Sequence, residues 1–358
     1  MVKQESFYNP KKSYYENYEE GPFGVFTEDT SLERIGDPTD TFLGVPVYVR
    51  FGIPAGPLLN GTYVKAALDK GFDLPVYKTV RTREKKCHPY PNVLPALIAG
   101  DLTLEKAEAG LTTKEEYSDP LSITNSFGVP SFSPDVWQED VADAVLHAKE
   151  GQLVGASFEG TRWDGFSDQD YIDDWVTAAK LLKETNVGFI EANLSCPNEG
   201  TAALLCFDVE KVVEVTSAIK DAVGDLPLFI KTSYFTEDSL LEKLVKEVGG
   251  IVDGFATINT ISAEVRTPDG GQALPGEGRL RSGVCGHSIK WASTSMVARL
   301  ATLREKHQKS YKIIGVGGVT KAEDYGEYID AGADAVMSAT GAMWNPLLAQ
   351  DVYMKYAS

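Results

Sequence analysis

Cysteine and histidine are scarce in this chain, and those present are not arranged for metal or disulfide chemistry. Cys87, Cys196, Cys206 and Cys285 form no CxxC pair, and His88, His147, His287 and His307 fall at no zinc-ligand spacing. The thiols are therefore read as reduced, in a cytoplasmic protein without a metal site, and a Ser/His/Asp triad has no support. No run of about 18 apolar residues occurs, and Met1 to Pro10 lacks the apolar core of a signal peptide, so no membrane role is expected. Basic residues are outnumbered, 34 Lys plus Arg against 52 Asp plus Glu, for a formal charge of -18. Such a surface repels a phosphate backbone, so no nucleic-acid partner is expected. No glycine-rich dinucleotide fingerprint follows the first strand-like run, which argues against a doubly wound sheet.

What the chain does have is enough apolar material for a large core, 43% of 358 residues. Eight apolar runs recur: Val49 to Ala55, Leu74 to Val80, Leu153 to Phe158, Val187 to Leu194, Leu226 to Thr232, Val252 to Asn259, Lys312 to Gly317 and Ala333 to Ala339. Segments of helical period lie between them: Val64 to Lys70, Val136 to Glu150, Ile172 to Thr185, Val209 to Val223, Ser239 to Val248, Ile289 to Glu305 and Lys321 to Asp330. This alternation predicts an α/β fold, a (β/α)8 TIM barrel. Residues 1–41, rich in Tyr, Glu, Pro and Gly and without a period, are expected to form an extended arm on a barrel of residues 42–358. Residues 82–119 read as a long insertion after the second strand, with a helical patch near Leu104 to Leu111, and Leu121 to Phe127 as a loop segment at the barrel top.

Barrel active sites collect at the carboxyl ends of the strands, so the residues just past each apolar run are the candidates. They are Ala55-Gly56, Lys78-Thr79, Asn193 to Asn198, Lys231-Thr232, Asn259-Thr260, Gly315 to Gly318 and Ser338 to Gly341, with Thr124 to Gly128 in the odd loop. Paired asparagine amides, able to donate and accept, suit the edge of a heterocycle carrying C=O and N–H groups. Lysines closing apolar runs, as Lys78 and Lys231 do, are costly unless something anionic meets them. Gly317 and Gly318, with Ala339-Thr340-Gly341, have the composition of a backbone phosphate cradle, though such glycines also serve as turns. Cys196 is either a small buried filler or an active-site base.

In order and spacing, Asn193-Leu-Ser-Cys-Pro-Asn198, Lys78-Thr79, Asn125-Ser-Phe-Gly-Val-Pro130, Lys231, Asn259-Thr260 and Gly315-Val-Gly-Gly318 resemble the class 1 dihydroorotate dehydrogenases, over roughly residues 42 to 350. The resemblance implies FMN as cofactor and oxidation of dihydroorotate to orotate in pyrimidine biosynthesis. It makes Cys196 the base and places Lys231 beside the flavin as the second catalytic residue. It implies substrate binding by Lys78, Asn125, Phe127, Gly128, Val129, Asn193, Asn198, Asn259 and Thr260. Ala55, Gly56, Lys78, Thr79, Asn193, Ile258, Gly283 and Gly286 would hold the flavin, with Gly317, Gly318, Ala339 and Thr340 at its phosphate. It further implies a homodimer and fumarate, NAD through a partner subunit, or another soluble electron acceptor.

The departures from the family pattern are definite. The arm and the insertion have no counterpart, Ser282 and Cys285 replace glycines, Ala339 stands for a glycine and Thr260 for a serine. A flavoenzyme acting on another dihydropyrimidine, and a non-catalytic barrel binding a phosphorylated ligand, are the competing readings. Reduction of RNA uridine is disfavoured by the acidic charge.

Overall fold

The computed structural model describes residues 5–195 and 204–357. Every predicted apolar run contains one strand of a single parallel sheet. In spatial order the strands are Phe51–Gly52, Ala335–Met337, Lys312–Val316, Gly254–Thr257, Leu228–Thr232, Phe189–Asn193, Gly155–Phe158 and Val76–Val80. The two end strands meet through backbone bonds from Leu74 N to Phe51 O (3.1 Å) and from Val76 N to Ile53 O (2.8 Å). The sheet is thus the expected (β/α)8 barrel. Its strands are short because each run continues into backbone that leaves the ladder.

Local chemistry fixes the outer helices. Asn60, Ser167 and Asp208 each accept an amide proton at a helix start, and Pro134 begins the helix Pro134–His147. Of the apolar stripe that the period of helix Val209–Val223 predicts, Val209, Val212, Val215, Ile219 and Val223 are buried and Val213 is half-buried.

Inside the barrel, alternate residues of each strand point inward. The floor is apolar: Phe189, Phe229, Leu74, Val76, Ile314 and Met337 form a core, plugged from below by Phe42 and Val47. Those two belong to a hairpin of strands Asp40–Phe42 and Val45–Val47. Two residues further along the strands the interior turns polar, with Glu191 and Lys231 buried at the same face.

Three expectations need correction. Leu121 to Phe127 is not merely a loop: Ser122–Asn125 is a strand of a second, small closed barrel above the mouth. The other strands of that roof are Val93–Leu97, Leu111–Thr113, Ile261–Arg266 and Arg281–Gly286. Ser282 to His287, which the family resemblance makes a glycine-rich loop, is mostly strand, laddered on one side to residues 261–264 and on the other to 122–125. These strands escape local reading because they are short and several of their partners are far away in sequence. Lastly, the arm is not wholly extended. Tyr14–Glu20 is helical, begun by a reciprocal cap between Ser13 and Glu16.

The arm is anchored by the edge contact of Phe7 with Tyr63 (6.1 Å between centroids) and the bond from Phe7 N to Met343 O (3.1 Å). Because Phe42 contacts both Phe189 and Phe229 at 6.1 Å and has 2% exposure, Phe42→Ala should leave a cavity in the floor. The expected loss is about 3–5 kcal/mol, read as a lower midpoint in urea unfolding at unchanged slope.

Candidate active site

A cavity of about 240 Å³ opens between the carboxyl ends of the barrel strands and the small roof barrel. Its wall brings together Ala55, Gly56, Lys78, Thr79, Asn125, Phe127, Gly128, Val129, Asn193, Lys231, Ile258, Asn259, Thr260, Gly283, Ala339 and Thr340. Gly286, Gly317 and Gly318 are not on that wall. At φ 101° Gly286 passes against the Leu121 carbonyl, and at φ 70° Gly318 passes against Lys290, where a Cβ would meet backbone atoms within 3 Å. Cys196 and Asn198 lie outside the described residues. The sequence did not single out Glu191, Tyr8, Arg281 or Met343, all of which line the cavity.

The two lysines differ in their surroundings. Lys231 Nζ lies 3.1 and 3.3 Å from the two carboxylate oxygens of Glu191, and both side chains are buried. Lys78 is also buried, but it donates to the carbonyl oxygens of Thr79 and Pro130 and stands 5.3 Å from the centre of the Tyr14 ring. Burial pulls its pKa from 10.5 down to about 7. Glu191 escaped sequence reading because it sits in mid-strand, inside an apolar run.

A second network fixes the asparagines. Arg81 and Glu159, with side chains 0% and 1% exposed, pair at 2.7 Å. The other Glu159 oxygen accepts from Asn193 Nδ2 at 2.9 Å. A carboxylate only accepts, so it orients the Asn193 amide with its oxygen away from Glu159. That oxygen accepts from Ser195 Oγ (3.3 Å) and Asn259 Nδ2 (3.4 Å), and Asn259 Nδ2 also donates to Ser195 Oγ at 3.0 Å. Two asparagines predicted to converge are thus in direct contact, each with a set orientation.

The same arginine holds the loop after Asn125. Arg81 Nε donates to Val129 O at 3.0 Å, while Val129 itself stands at φ 48°, a backbone region costly for a β-branched residue. Gly128, at φ 76°, passes against the His88 ring, where a Cβ would fall 2.3 Å from Nε2. Arg279 adds bonds to Ser126 Oγ (3.0 Å) and Ser126 O (2.7 Å). Asn125 Nδ2 reaches Gly283 O at 3.4 Å and Cys285 Sγ at 3.5 Å, and Thr340 Oγ1 donates to the same sulfur at 3.3 Å. Burial pushes the Cys285 thiol up, so it stands as a neutral group bridging roof and barrel.

The family model described as Dihydroorotate dehydrogenase matches residues 40–355. A dihydroorotate dehydrogenase of Dictyostelium discoideum is 34% identical over 354 residues, covering 96% of this chain and 95% of that protein. A Pediococcus pentosaceus protein named for dihydroorotate dehydrogenase A (fumarate) is 35% identical over 188 residues, covering 50% of this chain and 57% of its own. The fold is similar to that of the DHODH of Eimeria tenella solved in complex with ferulenol. The TM-score there is 0.70 at 18% identity, over 92% of this chain and 86% of the other.

Lys78 makes a pH prediction. Its folded pKa of about 7 lies below its ordinary 10.5, so between those values the unfolded chain binds more protons than the folded one. Its contribution to stability therefore rises with pH from about 7 to 10.5, and its buried charge is a cost below that window. Lys78→Met should flatten the rise, as measured by urea unfolding at pH 7 and pH 10; an unchanged slope against pH would show that Lys78 does not titrate there.

Proposed function

Because the chain belongs to the dihydroorotate dehydrogenase family, we propose that it oxidises dihydroorotate to orotate in pyrimidine biosynthesis, using FMN at the barrel mouth. The observation that carries this reading is the convergence of Asn125, Asn193, Asn259, Lys78 and Lys231 on one cavity, from five separated segments of chain. The domain division we assign is an arm of residues 1–41 on a barrel of 42–358, with 82–119 as its insertion.

The wall supports a flavin. Ala55 and Gly56 form a nearly bare surface, and a Cβ on Gly56 would meet nothing within 4 Å, as a flat ring system requires. Thr79 and Ile258 extend that surface, and Lys231 offers a cation to a ring edge. Ala339 and Thr340, with Gly317 and Gly318 behind them, are assigned to the phosphate end, and Gly283 and Gly286 to the roof side. A bound flavin supplies the two-electron acceptor that converting the substrate's CH–CH bond to C=C requires.

The substrate side follows from hydrogen-bond polarity. Asn193, whose oxygen accepts from Ser195 and Asn259 and whose Nδ2 gives one proton to Glu159, offers its second N–H to a ring carbonyl. Asn125, Asn198 and Asn259 complete the reading of ring amides and carboxylate, with Thr260 beside them. Phe127, Gly128 and Val129 close over the ring. Lys78, with carbonyl and aromatic neighbours, suits the carboxylate that distinguishes dihydroorotate from dihydrouracil. Cys196 is assigned as the base that takes the C5 proton, its thiolate being the reactive form.

Among the described residues no helix is long and apolar enough to cross a membrane. We assign fumarate or another soluble compound as the final acceptor, a homodimer as the assembly and the cytoplasm as the location.

The purified protein should be yellow, and anaerobic dihydroorotate should bleach its flavin band while dihydrouracil and dihydrothymine do not. A colourless protein that takes up no FMN would sink the reading; bleaching by dihydrouracil alone would move it to another pyrimidine. Cys196→Ser should keep the flavin but reduce it more slowly, with the optimum displaced to higher pH because a hydroxyl is the weaker acid.

A further inference from the structure

Glu191 has no part in the reaction as assigned, yet it stands buried in the cavity wall. Along the fourth barrel strand the inward residues run Phe189, Glu191, Asn193, from floor to mouth. Directly beneath the carboxylate lie Phe189 and its neighbour Phe229, 5.5 Å apart. An apolar side chain there would extend that core, whereas a carboxylate must be compensated. The compensation is Lys231, at 3.1 and 3.3 Å from the two oxygens.

The pairing changes what Lys231 presents to a ligand. An isolated buried ammonium projects a full positive charge into the cavity, but one held against a carboxylate is half of a neutral pair whose field falls off steeply. Lys78, in the same wall, has carbonyl oxygens and an aromatic ring as its contacts. Among the described residues, one of the two lysines is thus paired with a carboxylate and the other is not. Two-electron reduction of an isoalloxazine adds negative charge to it, so the net charge beside the ring biases the oxidised and reduced forms.

We propose that Glu191 sets the reduction potential of the bound flavin by holding Lys231 as half of a neutral ion pair. Glu191 is a positioning residue, acting through Lys231, and this inference rests on the flavin assignment above. Its chemical sense is balance: a flavin made too easy to reduce takes electrons from the substrate readily but gives them up poorly to the next acceptor.

The test is anaerobic reductive titration of the FMN-loaded protein against a reference dye. Glu191→Gln keeps the shape and removes the counter-charge. It should shift the ratio of oxidised to reduced flavin at a fixed potential about tenfold or more toward reduced, a rise of about 30 mV for a two-electron couple. Glu191→Asp, which lengthens the pair, should shift it in the same direction by less, and it decides the matter if the glutamine variant does not fold. Flavin reduction by substrate should quicken in both variants and reoxidation slow. A potential that stays put or falls, with flavin still bound, overturns the inference alone; a wild-type protein that binds no flavin overturns the functional reading with it.

Discussion

The mouth of this barrel is organised by the requirement that buried charge be compensated. Arg81 and Glu159 are both essentially inaccessible, and breaking such a pair by removing one partner costs about 3–5 kcal/mol because the other is left stranded. Their bonds reach outward in two directions, to the Val129 carbonyl on the loop after Asn125 and to the amide of Asn193. One ion pair therefore fixes both the loop over the cavity and the orientation of an amide in its wall. The strained backbone at Val129 is tolerable because a full cation holds its carbonyl.

The floor and the rim of the barrel answer to a simpler rule. Period two along each strand sends alternate residues inward, so a switch from phenylalanine to glutamate and asparagine within five residues of one strand converts packed core into chemistry. Phe42 and Val47, brought in by the hairpin, seal the apolar end and leave the polar end as the accessible face.

This rule also explains how much was legible in advance. Strands buried on both faces read as continuous apolar runs, so all eight were visible, and Lys78, Lys231 and Asn259 were conspicuous as polar residues closing such runs. Glu191 was hidden inside a run, and Arg81 and Glu159 were hidden because nothing local marks two distant residues as partners. The roof strands are only three to six residues long, the sheet is held together by pairings of segments far apart such as 122–125 with 283–286, and Pro95 interrupts one strand. The arm helix did carry a signal, the Ser13 and Glu16 cap, submerged in a segment too polar to show a period. Cys196 and Asn198, the centre of the motif that first suggested chemistry, lie outside the described residues, so their roles rest on resemblance.

The roof barrel has a kinetic consequence. Its ladder joins Asn125 to Gly283, residues 158 positions apart, a separation exceeded in the main barrel only where its first and last strands meet, at Phe51 and Val336. Contacts of such separation form slowly, since much chain must be ordered before they repay the cost. Assembly order then follows from topology: the strands between Gly155 and Thr232 can pair early with their chain neighbours, whereas the roof ladder and the closing pair of Phe51 with Val336 come late, so the cation-bearing mouth stays open until then. A bulky ligand has its easiest entry during that interval, and the last strand to dock closes the site around it.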